Sequence, residues 1–449
     1  MANTVNPFRV EQLGKGSYVL AGDAGESRKT LGRIISDWKD GPLVVFDSAG
    51  ELYRRYSRDH DVCVSGLYEG SRVGDPFRTI LMHPAIGASP ESAAEFLCEA
   101  LSPEGKSRGG DNEDFWRNHG REVNKKYWLY QIVELKEALQ EWDRMNITLW
   151  MARNDRGLHA LQYDVLNQPK AQPERNTPLR AESDASMGRP ALFKFLKGAG
   201  EYEKARAVGL SPIYLEPLGR YVGKNQGSTA VSMVASAASH MAGIRSFFEA
   251  IAALGDDFLR SAAFEIGGYV HAPKGRAAFI PSLKRGALTD SSLAALMLVA
   301  FSAAADALGT PVTFIIPELD RWRAGPVLEF LTRRFGSRSL RCIAGVRSES
   351  RYKELMDTKR NVVDLVADSI DAEGVLWHRS KKKDLRELFD ERTPADRPYG
   401  LDDLTEGMAA LDLEDGCLRY VTIEDGVEGD RELRERRNSD ASEPPWLLR

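Results

Sequence analysis

The sequence predicts an α/β protein in which a parallel-sheet domain, built from both ends of the chain, carries an inserted all-helical domain. Three observations predict it. Short apolar runs of strand length alternate with helical segments over residues 1–85 and again over 261–425. Residues 86–260 between them are helical in pattern, broken by a polar loop near 167–190. Ser17 to Asp47 reads as strand, glycine loop, helix, strand, the setting in which a phosphate-binding loop is found. Residues 426–449 are dense in charge and read as a disordered tail.

The first strand is Ser17–Ala21. It leads into Gly22-Asp23-Ala24-Gly25-Glu26-Ser27-Arg28-Lys29-Thr30, then a helical segment to Trp38 and a buried-strand run, Pro42–Phe46, ending at Asp47. The P-loop pattern is G-x-x-x-x-G-K-[ST]. Aligned on Gly22, the chain places Ser27, Arg28 and Lys29 where Gly, Lys and Ser/Thr belong. Serine lacks the backbone freedom that lets phosphate approach closely. A planar guanidinium does not replace a compact ammonium. A lysine offers no oxygen to magnesium. A second alignment takes Lys29-Thr30 as the Lys-Thr pair, at the end of a loop one residue longer than the pattern. ATP is thus the candidate cofactor, held by Gly22, Gly25, Ser27, Arg28, Lys29, Thr30 and Asp47, and magnesium is the doubtful member of the site.

Further strands are expected at Val62–Leu67 and, shortly after, at Thr79–His83. From Pro90 to Leu139 the pattern is helical, with Phe115-Trp116 and Tyr127-Trp128 as core anchors, and helical patterning resumes from Pro212 to Leu259. Strand runs return at Ala277–Ile280, Val312–Ile316, Leu340–Val346, Val375–His378 and Leu418–Ile423. Phosphoryl transfer needs a carboxylate at the end of a second buried strand. Val312–Ile316 supplies it in Pro317-Glu318-Leu319-Asp320, with Glu318 as the candidate catalytic carboxylate. Pro317 stands where a metal-side aspartate is wanted. Glu318 and Asp320 read equally as a solvated strand end or a helix start.

Composition narrows the classes. The chain has 449 residues and a formal net charge of −5, which argues against a polyanion binder acting through its whole surface. Its four cysteines show no C-x-x-C spacing and its seven histidines do not cluster with them, so reduced thiols in a cytoplasmic protein are expected. Residues 1–11 lack a signal-peptide core. The most apolar window, Leu293–Leu308, carries Ser302 and Asp306 and reads as a buried helix, not a membrane span.

Several of these segments together resemble the type IV secretion coupling proteins, the TraG/TraD kind of conjugative ATPase. Asp47-Ser48-Ala49-Gly50-Glu51-Leu52-Tyr53 is similar to that family's Asp-Pro-Lys-Gly-Glu-Leu motif. Asp75-Pro76-Phe77 falls at its Asn-Pro turn, and Phe115-Trp116 at the Phe-Trp of its inserted domain. Ile343–Ser348 falls at its strand ending in Gln-Ser, and Leu404–Met408 at its late acidic segment. The resemblance covers residues 15–425 in order. It implies a RecA-like domain with an all-helical insertion, hexamers around DNA, and hand-off of substrate to a secretion channel, with partners in secretion or conjugation machinery. Ser27, Arg28, Lys29, Ala49, Pro317 and Arg347 depart from the positions the family ties to nucleotide and metal.

Two basic segments are candidate DNA or subunit contacts, Arg333-Arg334 and Lys381-Lys382-Lys383, each also readable as a solvated face. The tail ends in Pro444-Pro445-Trp446-Leu447-Leu448, a candidate docking peptide. The sequence therefore leads to a degenerate coupling-protein-like subunit peripheral to a membrane complex. Two alternatives stay open: an active translocase using Lys29 and Thr30, and a nucleotide-sensing regulatory module.

Overall fold

The computed structural model describes residues 6–8, 13, 16–64, 72–101, 120–121, 124–125, 127–129, 131–132, 135, 147–154, 241–252, 263–271, 275–283, 287–336, 339–346, 362–393, 397, 399–405, 408–413 and 418–423. The strands in chain order are β1 (Asn6–Phe8), β2 (Tyr18–Ala21), β3 (Leu43–Asp47), β4 (Val62–Cys63), β5 (Val73–Gly74), β6 (Ala263–Phe264), β7 (Ala277–Pro281), β8 (Val312–Ile316), β9 (Leu340–Val346), β10 (Gly374–His378), β11 (Met408–Leu413) and β12 (Leu418–Ile423).

Among the described residues ten of them form one sheet in the order β1-β12-β11-β10-β2-β9-β8-β3-β7-β4. From β10 through to β4 every neighbouring pair is parallel, and only β11 runs against its neighbours. Strands β2, β3, β7, β8 and β10 are buried at every position, which is why they read as continuous apolar runs and not as alternating ones. Helix α1 (Ala24–Ser36) follows β2, and helix α2 (Glu51–Tyr56) follows β3. Leu31, Ile34 and Ile35 of α1 and Leu52 of α2 share one core with Leu20, Val45, Phe279, Ile315, Ile343 and Leu376 on one face of the sheet. On the opposite face Trp377 meets Phe389 edge-on at 5.4 Å, and Phe46 meets Trp322 at 5.4 Å.

The chain divides into two compact units. One comprises residues 1–74, 262–284 and 308–449 and holds the sheet; the other comprises 75–261 and 285–307. The second unit is helical where described: Pro76–Met82, Pro90–Leu101, Ile147–Asn154, residues 241–252 and most of Ala287–Leu308. Its organising residue is Asp75. The Asp75 carboxylate accepts from Arg78 N–H at 3.2 Å, from Ile147 N–H at 2.7 Å and from Thr148 N–H at 3.0 Å, so one side chain caps two helices. Within Ala287–Leu308, the window Thr289–Leu308 is long and apolar enough to cross a membrane, and 72% of that window is buried inside the protein.

The structure corrects the strand expected at Thr79–His83. Those residues belong to a helix with Pro76 at its first position and Asp75 as its cap, two start signals that outweigh a short apolar run. Strand β11 has no counterpart among the expected strands, because Ala409, Ala410 and Asp412 dilute its apolar pattern. The strand expected at Val62–Leu67 is present as β4, with Val64 bridging to Arg72; residues 65–67 lie outside the described residues. Phe115-Trp116, 167–190, Arg347, the 426–449 tail and Pro444–Leu448 also lie outside them.

Candidate functional site

Because β2, β3, β8 and β10 run parallel, the segments that follow them all leave from one side of the sheet, where α/β proteins build their ligand sites. Four groups of expected site residues arrive there: the Gly22–Thr30 segment after β2, Asp47 at the end of β3, Glu318 after β8, and Lys381–Lys383 after β10. One strand, β9, separates β2 from β8. Arg333 and Arg334 do not join them. They occupy the last turn of the helix Gly325–Phe335, which returns toward the start of β9 and so toward the opposite side, and both are exposed.

The turn between β2 and α1 is two residues long, Gly22 and Asp23. Gly22 has φ 148°, and a Cβ there would lie 2.7 Å from both the Cβ and the carbonyl oxygen of His378. Only glycine fits. Asp23 is the N-cap of α1, yet its side chain makes no capping bond to the helix. Its N–H instead donates to the Arg379 carbonyl at 3.1 Å, and its carboxylate accepts from the Ser380 hydroxyl at 3.1 Å. Ser380 is wholly buried and also accepts from the Lys382 N–H at 3.2 Å.

Gly25, Ser27, Arg28, Lys29 and Thr30 all lie inside α1. Gly25 is exposed, with open space around it. Ser27 and Thr30 are buried. The Arg28 guanidinium pairs with Glu51 of α2 at 2.8 Å, and the Lys29 ammonium with Glu26 at 3.2 Å.

Asp47 is buried and its carboxylate accepts from the Tyr53 N–H at 2.8 Å, so it caps α2 across the turn Ser48-Ala49-Gly50. Gly50 takes the left-handed conformation that turn needs, φ 70°. Burial pushes the Asp47 carboxyl up to about 6, against the pull of backbone N–H groups of Tyr53, Leu52 and Glu51. Glu318 is buried and accepts a hydrogen bond from the Ser48 hydroxyl, with the Arg321 guanidinium 3.8 Å away. Pro317 places its carbonyl against Gly345 of β9, where any Cβ would collide with it.

Sequence reasoning missed four participants. Ser48 follows the Asp47 it had singled out. Asp23 and Ser380 are joined by the fold alone. His378 is wholly buried, burial holds its pKa down to about 4, and its Nε2 has no hydrogen-bond partner among the described residues. His378 has the same parity along β10 as Leu376, which places it on the face that α1 covers.

No family model matches the sequence, and no curated protein does. In fold the chain is similar to the plasmid coupling protein TrwB. The TrwB complex with ADP and Mg2+ matches with a TM-score of 0.56 at 12% identity, covering 96% of this chain and 91% of that one. An unbound form of the bacterial conjugative coupling protein TrwB matches at 0.55 and 12% identity with the same coverage. TrwB with a non-hydrolysable ATP analogue matches at 0.54 and 13% identity, over 92% and 86% of the two chains. The chain has the RecA-like P-loop NTPase fold, a mainly parallel sheet carrying an inserted helical unit, and at the level of fold the resemblance to type IV coupling proteins is borne out.

Proposed function

We propose that this protein is a coupling-protein-like subunit of a DNA- or protein-transfer assembly whose own nucleotide site turns over little or no ATP. The observation that carries the reading is the start of α1. A P-loop cradles phosphate with successive backbone N–H groups of a loop, and here the helix begins two residues after β2. Ser27, Arg28 and Lys29 are side chains of that helix, both cations are paired with carboxylates, and Thr30 is buried. Pro317 supplies no ligand beside Glu318. The residues present fit a magnesium-bound triphosphate poorly, so no hydrolytic step is derived through one.

The fold match to conjugative coupling proteins supports a place in secretion or conjugation machinery, in a homo- or hetero-oligomer at the cytoplasmic side of a membrane complex. The exposed Lys381, Lys382 and Lys383 suit a nucleic-acid backbone, and Pro444–Leu448 suits a docking partner. A second reading, a nucleotide-sensing module, is favoured by the TrwB structures that hold ADP or an ATP analogue. A working translocase that uses Lys29 and Thr30 is the third, and Thr30→Ala should cripple it.

Steady-state phosphate release, with magnesium and added DNA, separates them. We expect no release above that of Glu318→Gln. Magnesium-dependent turnover that Glu318→Gln abolishes would defeat the proposal. Tight nucleotide binding without turnover would favour the sensing module.

A further inference from the structure

The Gly22-Asp23 turn is tied to the segment leaving β10 more tightly than a strand-to-helix connection requires. Asp23 N–H, the donor at the foot of α1, is taken by the Arg379 carbonyl at 3.1 Å. The Ser380 hydroxyl holds the Asp23 carboxylate at 3.1 Å and is itself fixed by the Lys382 N–H at 3.2 Å. Gly22 lies against the His378 backbone with no room for one more carbon. An N-cap aspartate ordinarily spends its carboxylate on the N–H groups of the second or third helical residue. Asp23 turns its carboxylate to Ser380 instead, which keeps a negative charge on the N-cap residue of α1, next to where an incoming anion would sit.

We propose that residues 379–382 are an autoinhibitory strap: latched to Asp23 through Ser380, they close the α1 N-terminus against phosphate. This deepens the reading that this side of the sheet is a nucleotide site which does not turn over, and it rests on that reading. Three features act together. The strap takes the Asp23 N–H, His378 just before it fills the space beside Gly22, and Ser380 holds a carboxylate beside the α1 N-terminus. Beneath the turn lies His378, wholly buried and with a ring nitrogen that has no partner among the described residues. A buried polar atom without a partner marks a packing arrangement that is not saturated. Arg379, Lys381 and Lys382 are exposed on the strap, and the hydrogen bonds that latch it to Asp23 run through the Arg379 carbonyl and the Ser380 hydroxyl.

The test is calorimetric titration of the full chain with inorganic pyrophosphate and, separately, with ATP. The variants are Ser380→Ala, which removes the latch hydroxyl, Ser380→Thr, which keeps it, and Asp23→Asn, which keeps an acceptor but removes the charge. We expect Ser380→Ala to bind pyrophosphate at least about tenfold more tightly than wild type, the loss of one charge-assisted hydrogen bond, with Ser380→Thr near wild type. Asp23→Asn should also gain affinity, by electrostatics alone. If Ser380→Ala binds no tighter than wild type, the strap is not inhibitory and the proposal falls. If Ser380→Ala does not fold, by circular dichroism, Asp23→Asn decides, and no gain there overturns the proposal. Turnover by the wild-type chain would instead defeat the non-hydrolysing reading, so the two failures are told apart.

Discussion

Replacing Gly22 and Gly25 separately by alanine distinguishes the two-residue turn from a phosphate-cradling loop, because the two changes should differ in sign. At Gly22 the new Cβ would lie 2.7 Å from the Cβ and the carbonyl oxygen of His378, with φ at 148°. A carbonyl in a buried strand does not move aside cheaply. Backbone strain of about 1–3 kcal/mol and overpacking of a similar size put the loss at roughly 2–5 kcal/mol. At Gly25 nothing lies within 4 Å of the added carbon and the residue is in the first turn of α1. Alanine there should stabilise by roughly 0.5–1 kcal/mol, the ordinary helix-propensity gain. Urea unfolding followed by tryptophan fluorescence gives both values. A slope of about 2 kcal/mol per molar turns the Gly22 loss into a midpoint drop of about 1–2.5 M. If Gly25→Ala were as destabilising as Gly22→Ala, residue 25 would belong to a loop with special backbone angles, and α1 could not begin two residues after β2.

Other outcomes follow from the same geometry. Burial holds the His378 pKa down to about 4, so the unfolded chain takes up its proton first on acidification. The stability this contributes is complete above about pH 6.5 and is lost toward pH 4, by roughly 3 kcal/mol. Asp47, pushed up to about 6, acts oppositely: its contribution is present below about pH 3.8 and is lost by a similar amount as pH rises through 6. Asp47→Asn should therefore lose more stability than wild type between pH 6.5 and 4, and parallel unfolding curves would contradict this. Arg28→Ala breaks a half-exposed ion pair with Glu51 and should cost less than about 1 kcal/mol, an effect that disappears in high salt. If the strap's cations touch nucleic acid, Lys381→Ala with Lys382→Ala should flatten the salt dependence of duplex binding by about 0.9 in log-log slope for each phosphate no longer neutralised. An unchanged slope would place the nucleic-acid surface elsewhere.

Much of the sheet was legible because its central strands are buried on both faces. Val44-Val45-Phe46, Ala277–Ile280 and Val312–Ile316 offer little polarity to mislead. The edges were less so. Strand β11 places Asp412 within hydrogen-bond reach of Arg392, so its polarity is explained only by a partner distant in sequence. Thr79–His83 misled because five residues with three apolar ones suit a strand as well as a helix; the cap at Asp75 decided it. At the candidate site, the glycines and the Asp47 and Glu318 carboxylates were found by pattern and spacing. What closes the site was not found. The Asp23–Ser380 bond joins β2 to β10, and nothing local in either segment signals the other.

The position of β2 between β9 and β10 has a bearing on how the chain is made. Tyr18 pairs with Ile343 on one side and Gly374 on the other, so β2 has no sheet neighbour from its own end of the chain. At ordinary synthesis rates of about 5–20 residues per second, the strand that opens the candidate site waits tens of seconds on the ribosome before either neighbour exists. During that time Tyr18–Ala21 is an apolar run with both edges open, a stretch that chaperones recognise and that strays into aggregation when left alone. A chain stopped before β9 would hold every residue of the turn and of α1 and still have no place to put them.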